Sequence, residues 1–201
     1  MSAPRTRIPA AERREQILDV AADLFGSNGF TATTTDQVAR AAGISQPYVI
    51  RVFGSKDELV RATVARAGDR VMAAFRAVVD EADGISGDEL AHRLGEAYVD
   101  LIADRGLLRV LMQAFLAGAD PAVGPTARHC FLKIAGFMRD AAGMSADQVV
   151  GFLAHGMLLN TLLGLDLPAA TDSGTPDDTL AAWLVQCALG HKADLLLRQS
   201  P

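Results

Sequence analysis

The chain of 201 residues contains two cysteines, one tryptophan and only 5% aromatic residues. Cys130 and Cys187 lack the spacing of metal ligands, so we expect reduced core thiols rather than a disulfide framework or a metal site. A Ser/His/Asp set and a glycine-rich phosphate loop are also missing, and the four histidines are scattered. We therefore expect no catalytic residues, no metal and no cofactor, and an all-helical enzyme is the least favoured function.

Long apolar runs are missing as well. The longest extends from Val149 to Leu165, is interrupted by His155 and Asn160, and is short for a membrane span. The first residues lead into charge rather than into the apolar run of a signal peptide. Half of the residues are apolar, which is enough for one or two compact domains. We expect a cytoplasmic protein without a membrane partner.

An excess of positive charge, which is common in proteins that bind nucleic acid, is not found, because the net charge is −5. The distribution is uneven: residues 1–60 contain seven Lys or Arg and seven Asp or Glu, so the acidity lies in residues 61–201. The first residues can form a basic arm that follows phosphates or enters a minor groove. An ordinary frayed terminus is an equally good interpretation. The arm contains Arg5, Arg7, Arg13 and Arg14 against the single acid Glu12.

Helix caps predict two short helices joined by a tight turn. Thr34 followed by Gln37 forms a capping box, which satisfies free N–H groups at a helix start near residue 35. The helix ends at Gly43, since glycine tolerates the left-handed conformation of a helix end. Ser45 can cap a second helix. This spacing is typical of a helix-turn-helix motif.

The second of these helices has one apolar and one polar face. Val49, Val52 and Phe53 form an apolar stripe that has to be buried. Gln46, Tyr48 and Arg51 face outwards and suit the major groove, where Gln pairs with adenine and Arg with guanine or phosphate. A helical hairpin with a solvated polar face is the alternative.

A preceding helix, predicted for residues 12–27, carries an apolar face and closes at Asn28-Gly29. Its pattern and the two that follow resemble the DNA-binding domain of the TetR family of transcriptional regulators. The resemblance covers roughly the first third of the chain. The residues that carry it are Ile17-Leu18-x-x-Ala21-x-x-Leu24-Phe25-x-x-x-Gly29-Phe30-x-x-Thr33-Thr34, Val38-Ala39-x-x-Ala42-Gly43-Ile44-Ser45 and Phe53-x-Ser55-Lys56-Asp57-x-Leu59.

The resemblance implies which residues contact DNA. Residues after the turn enter the major groove, while the start of the second helix and the lysine before the fourth approach phosphates. Thr33 and Thr34 serve equally well as helix caps. Ile50 stands where the family usually has a tyrosine that contacts phosphate, so Tyr48 or Arg51 has to replace that contact. The expected contacts are Thr33, Thr34, Thr35, Ser45, Gln46, Pro47, Tyr48, Arg51 and Lys56.

Beyond Leu59, caps and apolar periodicity predict further helices, and no alternation of period two indicates a strand. We expect an all-α fold of about nine helices. A three-helix helix-turn-helix DNA-binding domain occupies residues 1–55, and a larger helical ligand-binding and dimerisation domain occupies residues 56–201. Helix caps are expected at Ser86, Ser145 and Thr175, and a break at Gly106. Another helix is expected to start at Asp120-Pro121, to bend or restart near Gly124 and to end near Gly143. The last helix is expected to run to about Arg198.

The last two predicted helices, the eighth and ninth, are apolar on most sides and must be covered on most sides. Either the rest of the monomer or a second copy can cover them. The resemblance favours a second copy, which makes the protein a homodimer through helices 8 and 9. Two DNA-binding domains can then reach the two halves of a palindrome.

The resemblance also implies a small-molecule pocket in the middle helices. An apolar cavity rich in methionine suits a greasy ligand, but core packing is the stronger alternative for each residue taken singly. We expect a repressor that leaves a double-stranded DNA operator when a small apolar effector binds, or alternatively a helical protein-interaction module that uses the third helix. The candidate pocket residues are Met72, Phe75, Arg109, Met112, Gln113, Phe115, His129, Phe131 and His155.

Overall fold

A computed structural model describes residues 9–85, 87–101, 105–167 and 176–190 of the chain. Within these ranges there are nine helices and no strands, which confirms the all-α fold class. We call α1 to α3 the head and α4 to α9 the body. Among the described helices, none is both long and apolar enough to cross a membrane. The helices are α1 Ala10–Asn28, α2 Thr35–Ala41, α3 Gln46–Phe53, α4 Lys56–Glu81, α5 Gly87–Asp100, α6 Arg105–Leu116, α7 Gly124–Asp140, α8 Ala146–Gly164 and α9 Pro176–Leu189.

The start of α2 has the capping box that the sequence predicts. Thr34 Oγ1 accepts a hydrogen bond from the backbone N–H of Gln37 (3.2 Å), and Gln37 Oε1 accepts one from the backbone N–H of Thr34 (2.8 Å). The turn after α2 contains Gly43, whose φ of +65° is costly for any residue with a Cβ. The backbone N–H of Ile44 donates to the carbonyl oxygen of Ala39 (3.0 Å) and directs the chain into α3.

The start of α3 differs from the sequence-based expectation. Ser45 is the N-cap residue, but its side chain makes no capping hydrogen bond. Pro47 lies in the first turn, and because proline has no N–H and a helical φ, the helix start has one donor fewer to satisfy. Val49 and Phe53 are buried in one hydrophobic cluster with Phe25 of α1. The predicted apolar stripe therefore packs inwards, and the rest of α3 faces out.

The 26 residues of α4 connect the head to the body. The Ser55 hydroxyl caps this helix by accepting a hydrogen bond from the backbone N–H of Glu58 (3.1 Å). Arg66 of α4 holds α1 through Glu15 (2.5 Å) and Asp19 (2.6 Å). Because residues at the start of α4 also share the hydrophobic cluster of the head, the division into residues 1–55 and 56–201 stays a prediction.

A close crossing of α1 and α6 joins head and body a second time. A Cβ at Gly26 would lie 3.0 Å from both Arg109 Cβ and the carbonyl oxygen of Gly106. A Cβ at Gly106 would lie 3.1 Å from the Cα and backbone N of Asp23. The predicted break between helices exists, but it lies before Gly106: α5 ends at Asp100, α6 begins at Arg105, and Gly106 is the second residue of α6. Glycine is required at this position because the backbone of α1 lies against it.

The segment before α7 also differs from the expectation. Asp120 does not cap this helix, which begins at Gly124, the restart that the sequence analysis left open. Its carboxylate accepts hydrogen bonds from the backbone N–H groups of Ala122 (2.7 Å) and Val123 (3.2 Å), because the chain forms a separate turn there. The helix ends at Asp140, three residues before the expected glycine.

The remaining caps are partly described. Ser145 and Gln148 form the predicted capping box of α8, with backbone-to-side-chain distances of 3.0 and 3.3 Å. The expected caps Ser86 and Thr175, and the end of the last helix near Arg198, lie outside the described residues.

The two cysteines lie in different environments. Cys130 is buried against α4, and burial raises the pKa of its thiol. Cys187 is exposed on α9, so its predicted place in the core is wrong. Both thiols are free, as expected from their spacing.

The crossing of α1 and α6 is tested by Gly106→Ala. The added methyl group meets the α1 backbone, so we expect the free energy of unfolding to fall by about 1–3 kcal/mol, as in other overpacked sites. Gly136→Ala in α7 is the matched control, since its Cβ would meet nothing within 4 Å. We expect that control to be neutral or more stable by up to about 1 kcal/mol. Equal denaturant midpoints for the two variants would contradict the close crossing.

Candidate nucleic-acid interface and ligand cavity

The outer face of α3 presents polar side chains at the surface of the head. Gln46, Pro47 and Arg51 are exposed, and Tyr48 and Ile50 are half-buried. The opposite face is held in the core, so α3 cannot turn without exposing apolar side chains. The helix therefore offers a fixed set of hydrogen-bonding groups to a partner.

Two of these side chains are stacked on each other. The Arg51 guanidinium carbon lies 4.6 Å from the centroid of the Tyr48 ring, which is a cation–π contact. The ring restricts the arginine side chain without using its N–H donors. Arg51 is thereby oriented for a base edge or a phosphate, and this arrangement offers a replacement for the tyrosine contact that Ile50 cannot make.

Gln46 and Thr35 connect the starts of the two helices of the motif. The Gln46 side-chain amide donates a hydrogen bond to Thr35 Oγ1 (3.2 Å), and Thr35 is almost buried. Thr35 thus positions Gln46 rather than facing a phosphate itself. Contact between Gln46 and a base edge requires exchange of this bond or use of the remaining donor and acceptor atoms.

Thr33 is the expected contact that the structure contradicts. Its side chain is fully buried, and its hydroxyl donates a hydrogen bond to the carbonyl oxygen of Leu24 (3.1 Å). The hydroxyl therefore has no access to a phosphate, and its role is to fix the chain between α1 and α2. Thr34 and Ser45 are exposed, which leaves both side chains accessible.

Lys56 begins α4 beside the loop before α2. Its ammonium group donates to the carbonyl oxygen of Thr31 (3.0 Å), so one of its three donors is used and the cation is held at the surface of the head. Of the basic arm, Arg5 and Arg7 lie outside the described residues. The Arg14 guanidinium lies 5.2 Å from the centroid of the Phe53 ring, so this residue packs on α3.

The candidate pocket residues divide between two spaces in the body. Phe75, Phe115 and Phe131 line a small, almost entirely apolar cavity of about 40 Å³, which we call the inner cavity. Arg109 and two neighbours on α6 line an open groove of about 570 Å³ between α1, α6 and α8, which we call the junction groove. The two neighbours are Met112 and Gln113.

Three expected pocket residues lie elsewhere. Met72 is buried in the core and lines neither space, because it points into the packed interior of the body. His129 is exposed on α7, and His155 is exposed on α8 beside a separate surface groove that Cys187 also lines. Helical spacing alone does not distinguish such positions from the wall of a cavity.

Two residues of the inner cavity were missed by the sequence analysis. The Tyr98 hydroxyl donates a hydrogen bond to Asn160 Oδ1 (2.9 Å). A signal existed, because Asn160 interrupts the longest apolar run of the chain and a buried amide needs a partner. The position of that partner 62 residues away could not be read from the sequence.

The arrangement defines a class of protein. A three-helix head exposes the polar face of its third helix, and a larger helical body follows, as in helix-turn-helix DNA-binding proteins. Residues 17–63 match the family model described as bacterial regulatory proteins, tetR family. Over these residues, which form most of the head and the start of α4, the chain is similar to the TetR family of bacterial regulatory proteins.

The chain is also similar to individual transcriptional regulators. The transcriptional activator FasR of Mycolicibacterium smegmatis is 37% identical over 70 residues, which are 35% of this chain and 32% of that protein. The transcriptional repressor KstR2 of the same organism is 31% identical over 80 residues, or 40% of this chain and 39% of that protein. The chain thus spans only about a third of the length of the curated relatives that it matches. A solved TetR-like regulator from Rhodococcus sp. RHA1 covers 95% of this chain and 94% of its own, with a TM-score of 0.65 and 25% identity.

Charge and base contacts on the head are separable by substitution. We expect Lys56→Ala to weaken binding to all duplexes and to reduce the slope of log affinity against log salt by about one, because one phosphate contact is lost. Lys133→Ala is the matched control, since it removes a lysine that pairs with Asp69 of α4 (2.8 Å) and is remote from α3.

Gln46→Ala or Tyr48→Ala should instead change the preference at particular base pairs, by about 1–3 kcal/mol at each. Tyr48→Phe keeps the ring beneath Arg51 and should retain most of that preference. Affinity for a set of single-base operator variants measures both effects. A selective loss of base preference in Lys56→Ala would contradict the assignment.

Proposed function

We propose that the protein is a homodimeric repressor that leaves a palindromic operator when a small, largely apolar ligand binds the body. The polar outer face of α3, fixed by the buried Val49 and Phe53, is the observation that carries the proposal. Gln46 and Arg51 on this face have the donors and acceptors that distinguish adenine and guanine in the major groove. The proposed interface also includes Thr34, Ser45, Pro47, Tyr48 and Lys56, while Thr35 acts by positioning Gln46.

A second copy is the proposed cover for the apolar surface of α8 and α9. Val150 on α8, Leu165 directly after α8, and Leu180 and Trp183 on α9 are each at least 60% exposed. Large apolar side chains on adjacent helices indicate an interaction surface. A two-fold dimer through these helices supplies two heads, and two heads reach two half-sites about one DNA turn apart.

Ligand binding opposes DNA binding in this proposal. The junction groove is bounded by Gly26 and Ser27 of α1, so a ligand there contacts the head as well as α6 and α8. A ligand that prefers another position of α1, α4 or α6 alters the distance between the two α3 helices. The coupling free energy between ligand and operator is reciprocal and typically about 1–3 kcal/mol.

Dependence on salt distinguishes this function from the alternative of a protein-interaction module. Binding through several phosphates releases counterions, so we expect affinity for duplex DNA to fall by about 10³–10⁵ between 50 and 200 mM salt. The measurement uses the full chain, fragments selected from the native genome and a random duplex as reference. A flat salt response, or the same affinity for selected and random duplexes, would favour a protein partner for α3.

The dimer is tested by placing a charge on its proposed surface. We expect Trp183→Arg to give monomers and to weaken operator binding, because the arginine would be buried at the interface without a partner. Leu132→Arg is the control, since Leu132 is similarly exposed but lies on α7. Sedimentation measures the mass, and in the unmodified chain the single tryptophan should shift its emission on dilution. A dimer that survives the substitution at Trp183 would rule out this surface.

A further inference from the structure

The inner cavity has one polar point in an otherwise apolar wall. Tyr98 of α5 and Asn160 of α8 meet there; Asn160 is buried and Tyr98 is half-buried. Among the described residues that line the cavity, the others are apolar and none is charged. Burial raises the pKa of Tyr98 to about 12, so its phenol stays neutral and continues to donate to Asn160 at physiological pH.

Asn160 lies at the partition between the two spaces. It lines both the inner cavity and the junction groove. Its oxygen is used by Tyr98, whereas no described residue accepts a hydrogen bond from its amide N–H groups. The amide nitrogen keeps some accessible surface, since every fully buried side-chain N or O among the described residues has a partner. Two oriented donors are thus presented where the groove meets the cavity.

We propose that the Asn160 amide recognises an uncharged oxygen, a carbonyl or a hydroxyl, on a largely apolar ligand, and that Tyr98 is the positioning residue that orients this amide. This inference rests on the proposed function and assigns a ligand class to its site. The body of the ligand lies in the junction groove, and its apolar end displaces side chains of the inner cavity.

Size and charge both favour this arrangement. The inner cavity, at about 40 Å³, is too small for a typical ligand, whereas the junction groove, at about 570 Å³, is within the usual range. The cavity has to widen on binding, and its rings can yield: Phe115 and Phe131 meet edge to face at 5.5 Å, as do Phe75 and Phe152 at 5.6 Å. A carboxylate or ammonium in the wall of the inner cavity would be buried without a partner, which is costly. Arg109 lines the junction groove, so octanoate tests whether a carboxylate pairs there instead.

Tyr98 acts through the orientation of Asn160. Because its hydroxyl holds Oδ1, the amide group is turned so that its N–H donors face the other way. Without the hydroxyl, the amide can rotate and present either its oxygen or its nitrogen to the ligand. Loss of the Tyr98 hydroxyl should therefore reduce discrimination between ligands more than it reduces their general affinity.

The test uses four probes on the full chain that share an eight-carbon skeleton: 2-octanone, 1-chlorooctane, octanoate and octylammonium. Calorimetry measures binding, and the anisotropy of a labelled operator measures release. We expect 2-octanone to bind at least about tenfold more tightly than either charged probe at pH 7. Asn160→Leu should lower the affinity for 2-octanone about tenfold, the equivalent of one hydrogen bond, and leave the affinity for 1-chlorooctane unchanged.

Two further variants separate recognition from folding. Tyr98→Phe should lower the affinity ratio of 2-octanone to 1-chlorooctane by about two- to fivefold, an effect that loss of packing alone would not produce. Thr63→Val in α4 is the control for loss of a buried hydroxyl, because Thr63 lines neither space and its hydroxyl donates to the carbonyl oxygen of Leu59 (2.7 Å). We expect this variant to bind all four probes like the unmodified chain.

Several outcomes would overturn the inference. Preference for a charged probe, absence of binding by all four probes, or an unchanged affinity ratio in Asn160→Leu would each do so, even if operator binding is intact. Failure of the proposed function is distinguishable from these results. It would appear as no operator binding without any probe, or as probe binding with the expected ratios but no release of the operator.

Discussion

The close approach of α1 and α6 is the constraint on which the position of the head depends. Gly26 and Gly106 leave no side chain between the two backbones, so the helices are in direct contact where they cross. The side-chain amide of Gln113 adds a hydrogen bond to the carbonyl oxygen of Gly26 (3.0 Å). As a result, α6 touches the head at one end while Arg109 and Gln113 line the junction groove. A shift of α6 at the crossing therefore acts directly on the backbone of α1.

Shape rather than charge holds the head on the body. The ion pairs of Arg66 with Glu15 and Asp19 link α4 to α1, but both carboxylates are more than half exposed and such pairs contribute roughly 0–1 kcal/mol. The hydrophobic cluster shared by α1 and α4 and the glycine crossing with α6 are less sensitive to salt. Packed contacts of this kind tend to exchange between discrete arrangements instead of deforming gradually, as the proposed ligand-controlled release requires.

Local signals in the sequence predicted the head well and the spaces in the body poorly. The capping boxes at Thr34 and Ser145, and the apolar stripe of α3, depend on residues three or four apart, so the sequence contains all that is needed to recognise them. Thr33 and Gly106 were misjudged because their roles are set by partners in other helices. The same limit applies to the candidate pocket: helical spacing selected Met72 and His129 together with Phe115, but it does not show which side chains reach a common space.

The smallness of the inner cavity bears on regulation as much as on affinity. A ligand that enters it has to part Phe115 of α6 from Phe131 of α7, and α6 is in contact with the head through Gly106. Widening the cavity costs free energy, and this cost lowers the observed affinity of the ligand. The same cost makes the ligand prefer one position of α6 over another, which is the requirement for any shift between two conformations. A cavity already wide enough in every conformation would bind such a ligand more tightly, but it would transmit nothing to α3.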